Sequence, residues 1–176
     1  VTRTICFSNQ NKNIKNLFTK VLKGHIAVAT TNINKDNIGK KIDKRARKFL
    51  KNSKLDYAHG TGHGVGFFLN VHEGPQSITK INKVKIKPGM ILSNEPGYYK
   101  KNHFGIRIEN LVYVDKKKGK LFFKNLTMAP IEKDLINFDL LTVSEKNYLF
   151  KYHLDVYSKI SKYLKQNERK WLASLI

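Results

Sequence analysis

Four short blocks between residues 57 and 113 decide how this chain is read: His59-Gly60-Thr61-Gly62-His63-Gly64-Val65-Gly66, Asn70-Val71-His72-Glu73-Gly74-Pro75, Ser93-Asn94-Glu95-Pro96-Gly97-Tyr98-Tyr99 and Gly105-Ile106-Arg107-Ile108-Glu109-Asn110. His59, His63, His72, Glu95, Arg107 and Glu109 stand inside glycine-rich or strand-like segments, where a protein places groups that must converge. Glycine at 60, 62, 64 and 66 excludes a helix, since each glycine costs a helix interior about 1 kcal/mol relative to alanine. The four-residue spacing of His59 and His63 is that of a zinc-protease helix, but on this backbone it predicts a turn feeding a strand over Phe67 to Val71. The two histidines therefore need not share a metal.

Working outward, Gly105 to Val114 alternates as one strand, with Ile106 and Ile108 on one face and Arg107 and Glu109 on the other. Asp115 to Lys120 is a lysine-rich turn, and Leu121 to Ala129 returns as the partner of a hairpin. Upstream, Gln76 to Lys87 is a polar connection, and Met90 to Leu92 an apolar run ending at Glu95-Pro96. Val1 to Phe7 alternates like a strand. Ile14, Leu17, Phe18, Val21, Leu22, Ile26 and Ala29 keep helical spacing, which predicts one amphipathic helix over 11–30 that Gly24 weakens without ending. A second helix over 38–52 has Ile42, Ala46, Phe49 and Leu50 inside, a basic outer face, and cap candidates in Asn34 to Asp36. Beyond Pro130 the pattern is helical again: Thr142 and Glu145 have capping-box spacing, a stripe runs from Tyr148 to Leu164, and Arg169 to Ile176 forms a terminal helix.

The length of 176 residues and a 40% hydrophobic composition suit one ordinary core. No run is long and apolar enough to cross a bilayer, so no membrane partner is expected. One cysteine, Cys6, reads as a buried structural thiol and gives no sign of an oxidising compartment; the cytoplasm is the default location. A formal charge of +21 would ordinarily raise nucleic acid as a partner. Lysine, asparagine and isoleucine are spread along the whole chain, however, without an arginine-rich stripe, and nucleic-acid binding is not the expected role.

An imidazole with two carboxylates suits a borderline-to-hard divalent ion, and an oxygen-rich set favours Mn²⁺ over Zn²⁺ or Co²⁺. Glutamates can bridge two ions, and a bridged pair can hydrolyse an amide without a covalent intermediate. Arg107 would hold a carboxylate ligand in place, and further histidines could bind substrate or deliver a proton. Taken singly, each residue has a duller reading: surface histidines, a charge at a strand end, an ordinary ion pair. Their order and spacing weigh against that.

These blocks, with Pro88-Gly89-Met90-Ile91 and Phe104, resemble the Xaa-Pro aminopeptidases, in the superfamily of prolidase, methionine aminopeptidase and creatinase. Val1-Thr2-Arg3-Thr4, the surroundings of Lys23-Gly24-His25, and residues 130–176 look like the same family. The resemblance implies an α+β pita-bread fold, a curved antiparallel sheet flanked by helices, with residues 1–131 a partial catalytic domain and 132–176 a C-terminal helical extension. It implies two divalent metal ions and peptide substrates with proline second. By position His63 and Glu95 match ligands of one metal, Glu109 a bridging ligand, His59 and His72 the substrate-contacting and proton-handling histidines, and Arg107 the arginine supporting the carboxylates. A homodimer of the intact enzyme is also implied. Two further aspartate ligands of the family site have no match, since Asp36, Asp43 and Asp56 lie in other contexts. The expectation is therefore the C-terminal part of such an enzyme, binding metal weakly and turning over little substrate alone. The alternatives are a non-catalytic pita-bread module that binds protein or nucleic acid, and a prolidase-like dipeptidase.

Overall fold

The computed structural model describes residues 1–68 and 70–175. The apolar stripe that starts at Ile14 becomes helix α1, Lys12–Ala29, and the Asn11 side chain accepts the Ile14 amide at its N-terminus. Helix α2, Gly39–Lys51, packs across it. Gly24 is where they cross: a Cβ there would come within 2.6 Å of the Ala46 carbonyl oxygen, so the glycine that weakens α1 permits the contact. The expected cap residues of α2 are engaged elsewhere. Ile38 is the N-cap, without a side-chain bond; Asn34 bonds Leu121 and Gly119, and Asp36 pairs with Arg45.

The strands are β1 Gly62–His63, β2 Ser77–Ile78, β3 Ile91–Asn94, β4 Gly97–Lys100, β5 Phe104–Arg107, β6 Asn110–Lys117 and β7 Lys120–Asn125. They pair antiparallel as β1 with β2, β4 with β5, and β3-β6-β7, while a bridge from Gly64 to Leu92 ties the first pair to β3. The single strand expected over Gly105 to Val114 is two strands, because β5 pairs with β4 and β6 with β3, and the chain changes partner at Ile108–Glu109. Its burial alternation survives the break, with Ile106 and Ile108 both in the core. The lysine-rich turn is tighter than expected: only Lys118 and Gly119 lie between the strands, at φ 49° and 75°, the backbone of a two-residue hairpin turn. The returning strand ends at Asn125, short of Ala129.

Two other expected strands are absent among the described residues. Val1 to Phe7 makes one bridge, Thr2 to Glu109; beyond it the Thr4 hydroxyl, bonded to both the amide and the carbonyl of Arg107, replaces the ladder. Over Phe67 to Val71 the described residues form no strand: the Gly66 amide donates to the Asn70 carbonyl at 2.8 Å, and Phe68 has φ 58°. Leu69, within that expected strand, lies outside the described residues. Cys6 is half-buried and not a core thiol.

Helix α3, Val143–Ile160, starts in the capping box of Thr142 and Glu145, and α4 spans Gln166–Ser174; Ile176 lies outside the described residues. One core cluster joins Phe18 and Leu22 of α1 to Ile106, Ile108, Leu149 and Val156; a second packs Val28, Ile42 and Ala46 on Leu92, Val112 and Val114. Arg3 ties the parts together. Its guanidinium donates to the carbonyls of Pro130, Ala129 and Glu109 and to the side chains of Asn110 and Tyr152. Among the described residues no helix is long and apolar enough to cross a membrane.

Candidate metal centre

The site lies where β1, the end of β3 and the β5–β6 break approach one another. Gly62 permits this, since a Cβ at that position would overlap the Ser93 carbonyl oxygen. Ser93 then serves both neighbours: its hydroxyl accepts the His63 amide at 2.9 Å and donates to Glu95 Oε1 at 2.9 Å. The Glu95 amide donates to the Thr61 carbonyl at 2.8 Å. Glu109 is held from the other side. Its amide donates to the Thr2 carbonyl at 3.0 Å, its carbonyl accepts from Arg3 at 2.7 Å, and its Oε2 accepts the Thr2 hydroxyl at 2.5 Å.

One ligand atom each from His63, Glu95 and Glu109 falls within 4.8 Å of the others, and all three side chains are half-buried. His63 Nδ1 donates to the Gly64 carbonyl at 3.0 Å, which leaves Nε2 facing Glu95 Oε1 at 3.3 Å. That is the orientation in which an imidazole offers its second nitrogen to a cation beside a carboxylate. One nitrogen and up to four carboxylate oxygens fit a divalent ion. They are too few to complete the coordination of two. Burial acts to raise the Glu109 carboxyl, while the Thr2 hydroxyl and then the charge of Arg107 act to lower it.

His59 and Arg107 meet through a residue that sequence reasoning missed. His59 Nδ1 donates to the Gly60 carbonyl at 2.7 Å, so Nε2 accepts the Tyr99 hydroxyl at 2.8 Å. The same phenolic oxygen accepts Arg107 Nε at 2.7 Å, and Arg107 Nη1 lies 3.7 Å from Glu95 Oε2. Arg107 thus reaches Glu95, across the cleft from its own strand. Burial, then the cationic charge of Arg107 and Arg47, holds the His59 imidazole below its ordinary value, against the Gly60 carbonyl and Glu95. His72 is exposed and lays its ring on His63, centroids 4.1 Å apart. His59, His63, His72, Glu95 and Arg107 line a cleft of about 350 Å³; Glu109 is not in its lining and faces Thr2 instead.

Ser93 could have been found, since it precedes Glu95 by two and so shares its strand face. Tyr99 stands inside a quoted block but carries no local mark of its partners. Thr2 stands in a block that resembles the family, but nothing in that block points to Glu109, 107 residues away.

The chain is similar along nearly its whole length to known proteins. The model of metallopeptidase family M24 matches residues 1–116, and that of the C-terminal region of peptidase M24 matches residues 119–175. A protein of Laccaria bicolor named "Probable Xaa-Pro aminopeptidase P" is 46% identical over 98% of this chain and 29% of its own length. A protein of Botryotinia fuckeliana with the same name is 46% identical over 95% of the chain and 27% of its own length. Among solved structures, the X-prolyl aminopeptidase of Caenorhabditis elegans, described as a cytosolic enzyme with a di-nuclear active site, superposes with a TM-score of 0.90 at 37% identity over 98% of this chain. The prolidase of Pyrococcus horikoshii gives a TM-score of 0.64 at 28% identity over 76% of it. The chain spans 30% of the Caenorhabditis elegans protein and 36% of the prolidase.

Proposed function

The chain belongs to metallopeptidase family M24 and has its pita-bread fold, and from that premise we propose that it is the C-terminal part of an Xaa-Pro aminopeptidase. The substrates of the whole enzyme are peptides with proline second, and the bond hydrolysed is the one before that proline. The names of the Laccaria and Botryotinia relatives, and the fuller superposition on the nematode aminopeptidase than on the Pyrococcus prolidase, support this over a prolidase. In the same reading residues 1–131 are catalytic and 132–176 a helical extension, in keeping with the change to helices after Pro130.

The observation that carries the reading is the convergence of His63, Glu95 and Glu109 within 4.8 Å. His63 and Glu95 would hold a divalent ion, with Glu109 as the ligand shared with a second, and the oxygen-rich donor set would favour Mn²⁺. The bound ions supply Lewis acidity, which polarises the scissile carbonyl and makes water nucleophilic near neutral pH. The chain's own groups do the rest. Arg107 fixes Glu95, His72 meets substrate at the open side of the cleft, and His59, kept neutral by burial, handles a proton at Nε2 in concert with the Tyr99 hydroxyl. With one imidazole and two carboxylates the chain alone holds one ion weakly and turns over little substrate. A cytoplasmic location and pairing of two copies in the whole enzyme belong to the same reading, supported by the cytosolic nematode relative and by the exposed Phe150, Leu154 and Trp171.

Calorimetric titration with Mn²⁺ tests the ligands. One weak site is expected in the chain, and none in Glu95→Ala. Two tight equivalents in the chain, or unchanged binding in the variant, would refute the ligand assignment. In the whole enzyme Glu95→Ala should abolish hydrolysis of a proline-second peptide; full activity there would instead favour a non-catalytic use of the fold.

A further inference from the structure

Helix α2 carries one side chain that reaches under the histidine segment. Arg47 is 1% exposed, and every one of its nitrogens is engaged. Nε donates to Asp43 at 2.8 Å, Nη1 to Asp56 at 2.7 Å and to the Tyr57 carbonyl at 2.7 Å, and Nη2 to the His59 carbonyl at 2.6 Å. The guanidinium also lies on the Tyr57 ring, 3.9 Å from its centroid. The other oxygen of Asp43 accepts the Thr61 hydroxyl at 2.7 Å, and the Thr61 carbonyl is the acceptor of the Glu95 amide. Residues 57–61 have no helix or strand of their own and include Gly60, so their backbone has little to hold it except this fork of donors.

We propose that Arg47 is a positioning residue of the catalytic centre: by gripping the carbonyls of Tyr57 and His59 it sets the His59 ring against Tyr99, and through Asp43 and Thr61 it seats the backbone of Glu95. Arg47 lines no part of the cleft and acts through other groups. Stability is a weak reason for such a residue, because buried ion pairs compare poorly with apolar packing of the same volume. Geometry is a strong one. A guanidinium presents five donors in one plane and can span four acceptors on two chain segments, whereas a lysine ammonium is a single compact point. The fork also fixes the direction of the His59 carbonyl. The ring can then donate from Nδ1 to Gly60 while Nε2 receives the Tyr99 hydroxyl.

The inference rests on the proposed function only in calling His59 a catalytic group, and the test keeps the two apart. In the metal-free chain, ¹⁵N imidazole spectra of wild type should show His59 protonated at Nδ1, with a cross-peak to the Tyr99 ring, 5.4 Å away between centroids. Arg47→Lys should average the two tautomers and lose that cross-peak, while the amides of the β6–β7 hairpin stay in place. In the metal-loaded whole enzyme the same change should lower kcat about 10- to 100-fold, with KM changed less than about twofold. Arg47→Met with Asp43→Asn removes both buried charges together; it is the second variant should Arg47→Lys not fold, and the same spectral change is expected. A folded variant of either kind that keeps the wild-type tautomer and the Tyr99 contact overturns the proposal. A wild-type whole enzyme that hydrolyses no proline-second peptide refutes the functional reading instead, and the spectra still decide the role of Arg47.

Discussion

His25 makes the fold acid-labile by an amount that the structure allows to be worked out. It is fully buried on α1, its ring turned toward the backbone of Ile108 and Asn94, and neither ring nitrogen has a hydrogen-bond partner. Burial, and next the cationic Arg3, lowers the imidazole from its ordinary 6.5 to about 3. Between those values the unfolded chain binds a proton that the folded chain refuses, so stability rises with pH across the window. The contribution is complete above about pH 6.5 and is lost as pH falls toward the folded value. At pH 4.5, about two units inside the window, the loss from His25 alone is about 3 kcal/mol at roughly 1.4 kcal/mol per unit. His153, lowered by burial to about 4 with Nε2 accepting the Ile131 amide, titrates in the same direction. His25→Leu removes one titration and leaves no donor or acceptor stranded on its own side chain; it should cost less than about 1.5 kcal/mol at pH 7.5. Urea unfolding at pH 7.5 and 4.5 measures both proteins, and the carboxylates, common to both, cancel in the difference. The wild type should lose about 3 kcal/mol more than the variant between the two pH values. Equal losses would refute the assignment of a buried, neutral imidazole.

The core makes a second prediction: Phe18→Ala, at a fully buried α1 position, should destabilise the chain by about 3–5 kcal/mol with an unchanged urea m-value. Tyr99→Phe removes the hydroxyl shared by His59 and Arg107; because Tyr99 is 43% exposed, its melting temperature should stay near wild type, while kcat of the whole enzyme falls about tenfold or more. Bound ions should stabilise the folded state, by about 2.7 kcal/mol at a hundredfold excess over Kd; a chelator should reverse the rise in melting temperature, and Glu109→Ala should show none.

What could be seen in the sequence and what could not divides along a physical line. The glycine alternation from 60 to 66 excludes a helix because glycine's cost acts at the residue itself, and β1 with its following loop occupies that region. The stripe from Ile14 and the capping box at Thr142 likewise depend on neighbours three or four residues away, and both helices are there. Expected strands fail to form where the deciding partner is remote. Ile106 and Ile108 alternate with Arg107 and Glu109 as one strand would, yet the Ile108 amide turns to the Pro96 carbonyl at 3.4 Å, because β4 claims one side of the break and β3 the other. Phe67 to Val71 has the composition of a strand and no partner to pair with among the described residues.

The proposed metal centre shows the same division at the level of single side chains. A ligand must be a particular residue type on a particular local backbone, so the proposed ligands His63, Glu95 and Glu109 stand out in short blocks. The groups that aim those ligands are chosen by where distant segments happen to meet. Thr2 grips Glu109 from 107 positions away, and Arg47, on a helix face otherwise read as solvated lysines, holds the backbone of His59. Only its spacing of four from Asp43 marks it, and that spacing is shared by many surface pairs of little energetic weight. What separates Arg47 from those pairs is burial of its guanidinium, which removes water as a competing partner for the carbonyls of Tyr57 and His59, while Asp56 is exposed and also accepts from Lys80. Residues outside the motifs should therefore affect this centre in proportion to how completely the fold has excluded water from their contacts: Arg47 strongly, Thr2 less, and the exposed lysines of α2 not at all.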